Sequence, residues 1–140
     1  MTPKEYLNQY YWAKKLIESK QDEIKQLEVL AEYVSPGIES GGGGSASDKV
    51  GKLAAKIADE KDKLNQQIEE LVNLKTEIKS CIAWIDNKRY RFVLTERYIN
   101  CKRWNEIAED NHYSVRSVHY LHQNALNAFG RKNPHIKTLH

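Results

Sequence analysis

Apolar residues recur at seven-residue spacing over the first two thirds of the chain. Tyr10, Ile17, Ile24 and Ala31 form one such series, and Tyr6, Ala13, Leu27 and Val34 fill the complementary positions, with Lys20 the exception. The pattern predicts one helix over 4–34. Ser35-Pro36-Gly37 ends it, because proline disfavours helical backbone in the residue before it and glycine permits a turn. A second helix is predicted over 48–86, with Asp48 as its N-cap. There Val50, Ile57, Leu64, Leu71, Ile78 and Ile85 keep the spacing without a break. Leu53, Leu74 and Cys81 fall three positions after some of these, and Ala54, Ile68 and Ile82 fall four after others. Such a repeat is a coiled-coil signal, and at ~1.5 Å per residue it describes a helix about 60 Å long.

Between the helices, residues 37–47 contain Gly41-Gly42-Gly43-Gly44-Ser45, a flexible-linker composition. Two heptad-patterned helices joined by a flexible loop predict a long antiparallel coiled-coil hairpin over 1–86. Such a hairpin serves either as a structural rod or as an arm for homodimerisation or partner docking, and the pattern fits both. The stretch from Leu74 to Ile85 outruns the shorter first helix, so it is expected to contact the domain that follows.

After residue 86 the repeat gives way to shorter elements. A helix is predicted over 88–100, with Phe92, Val93, Tyr98 and Ile99 apolar. From Trp104 onward the pattern is that of two helices joined by a tight turn. Ile107 and Ala108 lie on the first, and Ala108 is small where the helices must approach. Ser114 is the N-cap of the second, where its hydroxyl can accept a free backbone N–H. Val118, Leu121, Ala125 and Leu126 face the core. The chain is therefore expected to be all-α: the hairpin, then a three-helix helix-turn-helix domain over 87–132, then a tail over 133–140.

Burying that face leaves Val115, Arg116, Ser117, His119, Tyr120, His122 and Gln123 outside, with almost no acid among them. The N-terminal residues of a recognition helix read base edges in the major groove. Val115, Arg116, Ser117, His119, Tyr120 and Gln123 are the candidate base contacts, with Arg116 suited to bidentate bonding of guanine. Arg89, Arg91, Lys102, Arg103, His122, Arg131 and Lys132 are the candidate phosphate contacts, which position a protein without reading sequence.

Charge supports this division. The net charge is +3, but residues 1–85 carry 12 Lys and Arg against 14 Asp and Glu, and residues 86–140 carry 10 against 5. All five histidines also lie in the second part. A basic end on a neutral-to-acidic rod points to one polyanion-facing module. No apolar run approaches the ~20 residues that span a bilayer, and the polar N-terminus does not read as a secretory signal. Cys81 and Cys101 are too few for a disulfide framework and are expected to be reduced.

No catalytic pattern emerges. The glycine run lacks the Lys-Ser/Thr of a phosphate-binding loop, and Glu69, Glu70 and Glu77 read as exposed helix charges. His119 and His122, with Cys101 or His112, are the nearest approach to a zinc site. No Cys-x-x-Cys accompanies them, so no metal and no cofactor is expected. Trp12, Trp84 and Trp104 are expected to pack, as is the aromatic stripe of Tyr6, Tyr10 and Tyr11.

Residues 88–129 resemble domain four of bacterial sigma factors, the module that reads the −35 promoter element. The matching residues are Leu94, Arg97 and Tyr98, then Trp104, Glu106, Ile107 and Ala108, then Ser114, Val118, Leu121, Ala125 and Leu126. His112 departs from the pattern, standing at the turn position where glycine is usual; a left-handed backbone is expected there, with some strain. More broadly, the chain resembles the phage-encoded regulators related to the RinA and ArpU late-gene activators. That likeness rests on the opening Tyr6-Leu-Asn-Gln-Tyr-Tyr, the Val34-Ser-Pro-Gly break, Leu71-Val-Asn-Leu-Lys, and Leu94-Thr-Glu-Arg-Tyr-Ile with Trp104. The resemblance implies a sequence-specific, double-stranded-DNA-binding transcription regulator, an activator of phage or prophage genes, in the cytoplasm of a bacterial host and associated with the nucleoid. Since domain four also contacts RNA polymerase, the alternative is a polymerase- or sigma-binding module with little direct DNA contact.

Overall fold

The computed structural model describes residues 1–34 and 44–138, and the side chains of all of these but 44–47 and 137–138. The expected Ser35-Pro36-Gly37 break and residues 37–43 of the expected loop lie outside the described residues; the rest of that loop, 44–47, is helical, so the second helix begins before Asp48, its expected N-cap. Everything described is helical or a short connection, with no strand among the described residues. The elements are α1 (Pro3–Val34), α2 (Gly44–Ala83), α3 (Lys88–Leu94), a π-helical segment (Thr95–Ile99), α4 (Trp104–Asp110), α5 (Val115–Lys132) and a final 3-10 turn (Pro134–Thr138). None of these helices is long and apolar enough to cross a membrane.

The chain forms two compact units, which cut across both long helices instead of parting near residue 86. One comprises Met1–Ala13 and Leu71–His140, the other Lys14–Glu70.

In the smaller unit most of the heptad positions are at least partly shielded from solvent, Ala54 excepted. Ile17 and Ile24 are buried, and Ala31, Leu27, Leu53, Ile57 and Leu64 are half-buried. Lys20, the polar exception in the α1 repeat, pairs with Glu60 of α2. Glu60 also occupies a core position of its own helix, three after Ile57, and was not anticipated. Glu28 and Lys61 form a second, exposed pair at 3.3 Å. Each partner of the Lys20–Glu60 pair stabilises the other's charge. The hydrogen bond to Glu60 raises the Lys20 pKa, and the same bond lowers that of Glu60. Polar pairs in an apolar seam fix register at a cost in stability. Glu60→Leu alone is therefore expected to lower Tm by leaving Lys20 unpaired, and Lys20→Leu/Glu60→Leu to raise it above wild type by a few degrees. A double variant melting below both single variants in calorimetry would refute this account.

The larger unit holds one apolar core. Leu7, Ile78, Ile85, Val93, Leu94, Ile107, Val118, Phe129 and Ile136 are essentially inaccessible to solvent. The end of α2 is thus packed against the elements that follow it, as its overhang suggested. The start of α1 joins the same core through Tyr6, Leu7 and Tyr10. Tyr6 lies 6.1 Å from Phe129, centroid to centroid, and its hydroxyl donates to Glu77 Oε1 at 2.9 Å.

Helix α2 stops at Ala83, short of the expected 86. Arg91 donates to the carbonyls of Ile85 and Asp86, and Asn87 Oδ1 accepts from the N–H groups of Arg89 and Tyr90, capping α3. These side chains satisfy backbone groups that a chain reversal leaves open. The helix expected over 88–100 is interrupted: after α3 it widens into the π segment, in which Tyr98 and Ile99 are buried; Phe92, on α3, is 42% exposed. The segment expected as a tail from 133 is built into the core. Ile136 is buried, and the buried Asn133 amide donates to Cys81 O at 3.2 Å and Phe129 O at 3.0 Å. Trp12 and Trp84, expected to pack, are 63% and 67% exposed. Tyr11 is also exposed, unlike Tyr6 and Tyr10.

Candidate nucleic-acid interface

Helices α4 and α5 meet through Ile107, Ala108, Val118 and Ala125, all buried. The turn between them closes on backbone bonds from His112 N–H to Glu109 O (3.3 Å) and from Tyr113 N–H to Ala108 O (2.9 Å). His112 holds a left-handed φ of 57°, the conformation its place in the turn predicted. Cys101, in the preceding connection, has the same φ, which the sequence did not signal. Ser114 caps α5 as expected, its hydroxyl accepting from Ser117 N–H at 3.1 Å.

This packing leaves Val115, Arg116, Ser117, His119, Tyr120 and Gln123 exposed along the first half of α5. Helix α5 contains no acidic residue over its 18 positions. The six candidate base contacts therefore share one end of one helix, although the His119 ring leans on Trp104 at 4.7 Å. Tyr120 is the most open, at 72%.

His122 corrects the sequence reading. Expected outside as a phosphate contact, it is 6% exposed. The buried stripe of α5 runs Val118, His122, Ala125, Phe129, spaced four, three and four apart, and so takes in His122 where Leu121 was placed; Leu121 is only partly buried. His122 Nε2 lies 2.6 Å from Tyr98 Oη, a hydrogen bond in which either atom can donate. Trp104 covers the ring edge-on at 4.5 Å, and Arg97 sits 4.4 Å over the Trp104 ring. Burial pushes the Tyr98 hydroxyl up to about 12. Burial, then the charges of Lys4, Arg97 and His119, push His122 down to about 4.

The unfolded chain takes up the His122 proton near 6.5 and the folded chain only near 4. Between those values the unfolded state holds more protons, so stability falls as pH drops from about 6.5 towards 4, by on the order of 2–3 kcal/mol. His122→Gln keeps a hydrogen-bonding partner for Tyr98 and should flatten that slope in urea melts at pH 7 and pH 4.5. An unchanged slope would remove His122 as its cause.

The remaining phosphate candidates divide by their partners. Arg91 is committed to the Ile85 and Asp86 carbonyls. Lys102 is held between Glu96 (2.6 Å) and Asp110 (3.3 Å), and these bonds raise its pKa. Arg103 pairs with Glu106 at 2.7 Å and Lys132 with Asp86 at 3.2 Å, exposed bridges of little strength. Arg89 and Arg131 are exposed and have no carboxylate partner among the described residues, and the same holds for Arg116.

Among the described residues, no three His, Cys, Asp or Glu side chains gather where they could hold a metal ion. Cys81 and Cys101 are free thiols, the first buried. No curated protein and no solved structure matches the chain. A family profile matches residues 38–129, from before α2 to near the end of α5, and by that match the chain belongs to the DUF1492 family, described as proteins of unknown function.

Proposed function

We propose that this chain is a sequence-specific double-stranded-DNA-binding transcription regulator, in which α4 and α5 act as a helix-turn-helix with α5 as the recognition helix. The observation that carries the reading is the acid-free, Ser114-capped start of α5. It presents Arg116, Ser117, Tyr120 and Gln123 together while its opposite face is locked onto α4. A surface of donors with no carboxylate suits phosphates and the acceptor-rich edges of bases in a major groove. The protein acts by binding, without catalysis. The Lys20–Glu60 pair joins α1 to α2 within the smaller unit, which supports a helical hairpin. The exposed Leu16, Leu30 and Tyr33 on α1 give that hairpin an apolar face for a homodimer.

Selection of bound sequences from a random duplex pool at physiological salt tests the reading. Enrichment of one motif is the expected result, and its symmetry would report a dimer or a single copy. A folded protein that enriches nothing overturns sequence-specific binding. That result would favour the second reading, an RNA polymerase- or sigma-binding module, which has the exposed Trp84 and Phe92 in its favour.

A further inference from the structure

We propose that the first turn of α1 and the second half of α5 together form a binding cleft for the DNA sugar–phosphate backbone, so that Lys4 is a DNA contact although it lies far from α5 in sequence. The inference rests on the DNA-binding reading above and extends it to a part of the chain that the reading does not use. The cleft, about 350 Å³, is lined by Thr2, Pro3 and Lys4 of the α1 end and by Gln123, Leu126, Asn127 and Arg131 of α5. No lining residue is acidic. Lys4 and Arg131 are exposed, and neither pairs with a carboxylate among the described residues, in contrast to Lys102, Arg103 and Lys132. Lys4 is near enough to α5 for its charge to be felt at His122.

The cleft continues the candidate reading face. Arg116, Tyr120, Gln123, Asn127 and Arg131 follow one another at spacings of four, three, four and four, a single exposed stripe along α5. From Arg116 to Arg131 the helix rises about 22 Å, whereas the major groove is about 12 Å wide. If the first half of α5 sits in the groove, its second half overruns the groove's edge, where the phosphates run. Lys4 and Arg131 stand at that end and offer two cations, while Asn127 and Gln123 add neutral donors. The attraction comes from these side chains and not from the start of α1 as a helix terminus, because Thr2 Oγ1 already accepts the Glu5 N–H there at 3.2 Å.

The experiment measures duplex affinity of the full chain between 50 and 200 mM salt, on a selected site and on random sequence. It compares wild type, Lys4→Ala, Arg131→Ala and Lys52→Ala, the last an equal charge change on the other compact unit. Folding of each variant is checked by circular dichroism. Losing one phosphate contact lowers the salt slope by about 0.9. Over this fourfold change in salt, Lys4→Ala and Arg131→Ala should each lose about 3.5-fold less affinity than wild type does, equally on both duplexes, and Lys52→Ala should match wild type. A Lys4→Ala protein with the wild-type slope, on a wild type that does bind duplex, overturns the cleft and leaves the DNA-binding reading standing. A Lys4→Ala loss confined to the selected site also overturns it, since Lys4 would then read a base. A wild type that binds no duplex overturns both.

Discussion

A fragment of residues 87–140 is expected to be unfolded in isolation, although it contains every candidate base contact. Of the eighteen buried apolar residues in the core cluster, seven lie outside that fragment: Tyr6, Leu7 and Tyr10 from α1, and Ile78, Cys81, Ile82 and Ile85 from α2. Removing one large buried side chain typically costs about 2–5 kcal/mol, and a whole domain holds only about 5–15 kcal/mol of net stability. Taking away seven at once also exposes Val93, Leu94 and Phe129, which are fully buried in the intact unit, and deprives the Asn133 amide of the Cys81 carbonyl. Far-UV circular dichroism should show little helix, with no cooperative thermal transition and poor amide shift dispersion. A cooperative melt from this fragment would mean that the α1 and α2 contacts are dispensable. Within the full chain, Leu7→Ala should cost several kcal/mol for the same reason and should destabilise the C-terminal elements although it lies at the other end of the sequence.

What could be read in advance follows from which forces are local. Heptad spacing is a property of one helix at a time, so both long helices and the inward positions Ile17, Ile24 and Ile78 were legible from sequence. So were the Ser114 cap and the left-handed His112, because caps and turns are decided within a few residues. Long-range pairing was not legible. Lys20 stood out as an exception in α1, but nothing local marked Glu60 as its partner. The buried state of His122 depends on Tyr98 and Trp104, residues of other elements that close over it. A polar side chain at a core position is indistinguishable from an exposed one until its partners are placed. The inward packing of Asn133 and Ile136 was missed for the same reason: a short segment after the last long helix has no period to read. Positive charge was counted correctly along the chain, but several of those charges are already matched by Glu96, Glu106, Asp110 and Asp86. Composition cannot reveal that.

Those pairings determine which variants should change sequence preference and which should only weaken binding or folding. Arg116→Ala is expected to lose discrimination at one base position by about 1–3 kcal/mol, the worth of a good bidentate contact. Arg116 is the second residue of α5, in the first turn after the Ser114 cap, and the opening turn of a recognition helix is what reaches base edges. Its guanidinium has no carboxylate partner in the described structure, so binding a base breaks no existing ion pair. Arg89→Ala should instead weaken selected and random duplexes by the same factor, since a phosphate contact carries no sequence information. Lys102→Ala should act mainly on stability, because its ammonium bridges the buried Glu96 and Asp110 and its loss leaves Glu96 without its cation. Competition binding with the selected motif, a single-base mismatch panel and random duplex separates the three. Equal losses for Arg116→Ala on every duplex would place Arg116 on the backbone, and the reading of α5 would then have to rest on Ser117, Tyr120 and Gln123.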